Sequence, residues 1–118
     1  MNQKKILSFI KGVDSKRAET LKKLIEKEEE FEEKGNLYQE KFTPRQFELA
    51  IDPIIQTEYE RARILELTSG KALSVHELSS ILNLEKGKVL RHLIALKRRN
   101  MVAIEEVEGV TPRYKRID

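Results

Sequence analysis

The stretch Ser74-Val75-His76-Glu77-Leu78-Ser79-Ser80-Ile81-Leu82-Asn83-Leu84-Glu85-Lys86-Gly87-Lys88-Val89-Leu90-Arg91-His92-Leu93-Ile94-Ala95-Leu96-Lys97-Arg98-Arg99-Asn100 decides the fold. Ser74 and Glu77 stand three apart before an apolar run, the signature of a capping box. A short helix carrying Val75, Leu78, Ile81 and Leu82 is expected from there, stopping near Asn83-Leu84. A second helix begins within three residues, at Glu85 or Lys86, and runs to Arg99 before Asn100. Two helices joined by so short a turn form a helix-turn-helix.

Downstream the pattern changes. Met101 to Val107 and Arg113 to Ile117 are strand-like, and Glu108-Gly109-Val110-Thr111-Pro112 between them has turn chemistry. Strict alternation along the first strand places Ala103, Glu105 and Val107 on one side and Ile104, Glu106 and Glu108 on the other, so at least one acid faces each way.

Upstream, the first ten residues are a short helix or a frayed arm. From Asp14-Ser15 a one-faced amphipathic helix is expected, with Ala18, Leu21, Leu24, Ile25 and Phe31 at helical spacing and Gly35-Asn36 as its stop. The charged run Glu26 to Lys34 is its solvated face. Asn36 to Phe42 reads as a connector, and Thr43-Pro44-Arg45-Gln46 as an N-cap with proline at the first helical position. Phe47, Leu49, Ala50 and Ile51 give that short helix its apolar side, until Asp52-Pro53 stops or kinks it. The next helix is expected from about Pro53, with Ile54, Ile55, Tyr59, Ala62, Ile64, Leu65 and Leu67 as a broad apolar surface, ending at Thr68-Ser69-Gly70. Lys71-Ala72-Leu73 is an extended connector. The fold class is therefore mainly α with a small β-hairpin: a winged helix-turn-helix over 58–118, preceded by an N-terminal helical extension over 1–57.

Length and composition agree with this reading. The chain has 118 residues, 39% hydrophobic and 36% charged, enough for one domain and a helical extension but with unusually high surface charge. It has no cysteine, which removes disulfides, thiolate metal sites and cysteine nucleophiles. With only His76 and His92, a zinc site would have to lean on carboxylates, and no metal or cofactor is expected. No phosphate-cradling glycine loop or nucleophile–base spacing marks an enzyme. No apolar run approaches the length of a membrane span, and the basic N-terminus has too short an apolar part for a signal peptide, so the expected location is the cytoplasm. Charge is uneven: 13 basic against 14 acidic residues precede Ser69, and ten against six follow. A basic C-terminal half is a hint of a polyanion-binding end.

Residues Leu84 to Val102, above all Val89-Leu90-Arg91-His92-Leu93 and the exit Asn100-Met101-Val102, resemble the ArsR-like bacterial and archaeal winged-helix regulators. Arg113-Tyr114-Lys115-Arg116-Ile117 is similar to the basic-aromatic return strand of their wings, and the likeness spans roughly residues 60 to 118. It implies a homodimer that binds duplex DNA, with the helix from Lys86 to Arg99 in the major groove. Advancing 100° per residue, Val89, Leu93 and Leu96 form the core side, and Lys88, Arg91, Ala95, Arg98 and, at the edge, Arg99 form the opposite, basic arc. Lys88 and Arg91 are the base-edge candidates, Gly87 permits close backbone approach, and Lys86 meets phosphate. Lys97, Arg98, Arg99, Arg113, Lys115 and Arg116 would position the duplex without reading it. Leu90 stands where the family commonly has a small hydroxyl and Ile94 where a polar residue is usual; the pair either packs on the N-terminal helices or forms an apolar docking strip for a protein partner. The competing function is accordingly a winged-helix interaction module that does not bind DNA. For a regulator, the subunit contact is expected from the N-terminal helices, because the chain ends after the wing.

Overall fold

A computed structural model describes residues 3–33 and 44–117, with side chains over 4–27, 52–105, 107 and 109–117. Among the described residues five helices are followed by two strands: α1 (Gln3–Val13), α2 (Ser15–Glu33), α3 (Pro44–Leu67), α4 (Val75–Leu82), α5 (Lys86–Arg98), β1 (Val102–Glu108) and β2 (Thr111–Arg116). The chain divides into two compact units, Met1–Tyr59 and Glu60–Asp118. The connector over 36–42, the Gly35-Asn36 stop and the Thr43 cap lie outside the described residues.

In the first unit the opening residues are a helix rather than an arm. Ile6 and Ile10, one turn apart, are buried, which gives α1 an apolar stripe to dock. Asp14 alone separates α1 from α2, and its carboxylate accepts from the Arg17 backbone N–H at 3.2 Å, as an N-cap does. Ala18 and Leu21 of α2 and Ile55 of α3 are buried with them. Phe9 meets Tyr59 edge to face with ring centroids 5.6 Å apart, and Arg17 pairs with Glu58 at 3.6 Å.

Of the stop or kink expected at Pro53, the stop does not occur: α3 is one helix of 24 residues with Pro53 inside it. Proline costs a helix one backbone bond and a local clash, about 3 kcal/mol. Beyond it Ile55, Ala62, Ile64 and Leu65 are all buried. Ile54, expected on the apolar surface, is exposed instead.

The second unit is built on Ile64, Leu65, Leu73, Leu78, Val89, Leu93, Leu96, Val102 and Tyr114, all buried. The capping box at α4 is complete, with Ser74 Oγ accepting from Glu77 N–H at 3.1 Å and Glu77 Oε1 accepting from Ser74 N–H at 3.2 Å. Asn83 closes α4 in the left-handed conformation (φ 55°), which asparagine tolerates better than most residues. Asn100 does the same after α5 (φ 58°) and turns the chain into β1. β1 and β2 form an antiparallel hairpin, and Leu73 adds a single bridge on the other side of β2, exchanging backbone bonds with Tyr114 at 2.9 and 2.7 Å. The strands extend further toward the turn than expected. Glu108 pairs with Thr111, leaving a two-residue loop whose first position, Gly109, has φ 63°. Strict alternation along β1 is also overturned: the register shifts between Ile104 and Glu106, leaving Glu105 as an extra residue in the strand. These elements, helix-turn-helix then two-stranded hairpin, make a winged helix.

Candidate nucleic-acid interface

The sequence of α5 supplies both its anchor and its outward face. Val89, Leu93 and Leu96 are buried, as their shared side requires. On the outward side Gly87, Leu90, Arg91, Ile94, Lys97 and Arg98 are exposed. Lys86 is exposed in the first turn, and a side chain built at Gly87 would meet nothing within 4 Å. Ala95 and Arg99 are half-buried, Arg99 being the C-cap residue. From Lys86 to Arg98 the helix holds no carboxylate, and Glu85, its N-cap residue, makes no side-chain capping bond.

Lys88 occupies the flank of α5 rather than the centre of the outward arc. Its Nζ reaches Glu60 Oε1 at 3.3 Å and Oε2 at 3.4 Å. Glu60, buried on α3, also faces His92 Nε2 at 2.8 Å, and Arg61 Nε donates to His92 Nδ1 at 3.1 Å. Because Nδ1 accepts, the imidazole proton sits on Nε2 and is donated to the carboxylate. His92 is thereby a neutral buried link: burial holds its pKa below the usual histidine range, against the opposing pull of the Glu60 hydrogen bond. This cluster fixes α5 on α3 by polar contacts beside the apolar ones. Composition and helical periodicity on α5 alone do not reveal it. The available signal was on α3, where Glu60 lies four residues before Ile64 and eight before Thr68 on the buried stripe, and a carboxylate there requires a partner.

The hairpin cations are compensated inside the unit. Arg113 Nη1 lies 3.0 Å from Glu77 Oε1, tying the wing to the first turn of α4. The hydrogen bond from the Ser74 backbone, helped by the Ser74 side chain and the Arg113 charge, holds the Glu77 carboxyl below its ordinary range. Lys115 Nζ lies 3.5 Å from Glu105 Oε1. Arg116 is half-buried, and its backbone N–H donates to Thr68 carbonyl at 3.0 Å. The structure thus groups Lys86, Gly87, Arg91 and Arg98 on one exposed face, and gives Lys88, Arg113 and Lys115 acidic partners.

A buried-core helix with a cationic outer face, set after a capped short helix and before a hairpin, defines a winged helix-turn-helix. Residues 60–103 match the family described as bacterial regulatory protein, arsR family. That likeness covers less than half of the chain and supports a DNA-binding regulator in general terms. No curated protein sequence matches the chain. Among the described residues no helix is long and apolar enough to cross a membrane, and no cluster of three or more His, Asp or Glu side chains could hold a metal ion.

Proposed function

We propose that this chain is a cytoplasmic transcriptional regulator that places α5 in the major groove of duplex DNA and uses the β1–β2 hairpin as a wing. The observation that carries this reading is the outward face of α5, where Arg91 and Arg98 are exposed on a helix without a carboxylate. Arg91, in the second turn, is the base-edge donor for guanine acceptors. Lys86, Arg98, Arg99 and Arg116 position the duplex through phosphates, as do Arg113 and Lys115 when they exchange Glu77 and Glu105 for the backbone. Lys88, shared with Glu60, reaches phosphate from the flank. Residues 1–57 supply the contact of a homodimer, which would present two copies of α5 to half-sites roughly 34 Å apart. The exposed Ile54 on α3 supports a contact there.

The second reading is a protein-interaction winged helix using Leu90 and Ile94, favoured by the exposure of both and by the internal pairing of the wing cations. Fluorescence anisotropy separates the two. The full chain is titrated against duplex from its own upstream region and a scrambled control, at about 50 and about 200 mM salt, beside Lys88→Ala/Arg91→Ala. Selective binding that weakens steeply with salt and is lost in the double variant supports the regulator. Binding equal to the control and indifferent to the substitutions refutes it.

A further inference from the structure

Leu90 and Ile94 are the two large apolar side chains of α5 left exposed, 42% and 44% open to solvent on the face that also holds Arg91 and Arg98. An aliphatic side chain in water is usually incidental, but two of them one turn apart, on the face held outward by the buried Val89, Leu93 and Leu96, form a defined apolar strip. We propose that this strip reads thymine: Leu90 and Ile94 seat against C5-methyl groups in the major groove and set part of the site's sequence preference. The proposal rests on the DNA-binding reading above and names what that surface selects.

Three features point to this occupant. The strip is fenced by cations on its own helix, Arg91 between its two members and Lys97 and Arg98 beyond them, with no acid from Lys86 to Arg98. That surround suits a polyanion carrying an apolar spot, and thymine alone among the bases presents a methyl group in the major groove. Its size also fits bases better than a protein. Two partly exposed aliphatic side chains fall well short of the roughly 800 Å² per partner of a stable protein interface. Finally, four residues of helix advance about 6 Å, close to two base steps at about 3.4 Å each. With Arg91 adjacent to Leu90, the recognised half-site is expected to hold a guanine with thymines within about two steps of it.

The test uses the full chain. Duplexes are selected from a random pool, each thymine of the selected site is replaced singly by deoxyuridine, which lacks only the methyl, and affinities are measured by anisotropy. A loss of roughly fourfold is expected at each contacted thymine, the worth of one buried methyl-sized group. Leu90→Ala/Ile94→Ala, which alters exposed positions only, should bind thymine and uracil duplexes equally while keeping the salt dependence of the parent. Selective binding that ignores every thymine-to-uracil change overturns the proposal and leaves the regulator standing. A persistent thymine preference in the double-alanine variant also overturns it. Failure to enrich any duplex removes both the proposal and the reading beneath it.

Discussion

Glu60→Ala tests whether the polar cluster under α5 holds that helix in place. The substitution removes the acceptor 2.8 Å from His92 Nε2 and the partner 3.3 Å from Lys88 Nζ. His92 is buried, so its donor is left without an acceptor, a loss of about 1–3 kcal/mol. The Lys88 side chain is 44% exposed, so water screens its pairing and adds at most about 1 kcal/mol. The expected destabilisation is about 2–3 kcal/mol, read as a lower urea midpoint with unchanged slope in circular dichroism. Glu60→Gln keeps an acceptor for Nε2 and should cost less than about 1 kcal/mol. Glu60→Leu/His92→Leu removes donor and acceptor together, and should cost clearly less than the sum of its single substitutions. A Glu60→Ala variant within about 0.5 kcal/mol of the parent, or strict additivity in the double variant, refutes the reasoning.

His92 is neutral in the fold with a lowered pKa, so the unfolded chain takes up its proton first. Its contribution is complete above about pH 6.5 and is lost as pH falls below it; urea midpoints between about pH 7.5 and about pH 5.5 should show the decline, and His92→Gln should flatten it. Ser74→Ala should cost about 1 kcal/mol in thermal unfolding by removing the acceptor for the Glu77 N–H at the start of α4. Glu77 has a lowered pKa as well, so its stabilising bonds persist above the ordinary carboxylate range and weaken as pH drops through it; a midpoint that stays level through acid would contradict the capping assignment. Arg113→Ala should speed amide hydrogen exchange in β2 while leaving α1 and α2 unchanged, since its partner Glu77 belongs to the helix-turn-helix unit. If the proposed homodimer forms, sedimentation should give twice the 13.8 kDa chain mass, and Ile54→Glu should shift the profile toward the monomer.

Much of the second unit was legible because its signals are local. Ser74 with Glu77, the helix ends near Asn83 and before Asn100, and the Val89–Leu93–Leu96 side each depend on residues within a turn or two of one another. The misread features depend on distant partners. Pro53 carries a real local penalty, yet α3 runs through it from Pro44 to Leu67. Lys88 belongs to the basic residues of α5 by sequence, but its position is set by Glu60, 28 residues earlier. The irregularity at Glu105 has no signature in the alternation of β1 and emerges only from its pairing with β2. On the candidate interface, residue type was readable while partnership was not: Arg113 and Lys115 are as basic in the sequence as Arg98, yet face Glu77 and Glu105.

The acidic first strand of the hairpin has a role apart from nucleic acid. β2 is flanked by β1 and by the Leu73 bridge, whereas β1 pairs on one side only among the described residues. A strand with a free backbone edge is a template for a second copy of itself. Here that edge is bent by the extra residue at Glu105, and the strand carries Glu105, Glu106 and Glu108. Two such strands brought edge to edge would mismatch their bonding ladders, and each brings net negative charge. An acidic, irregular edge of this kind is suited to keeping the hairpin from growing into an intermolecular sheet at high concentration.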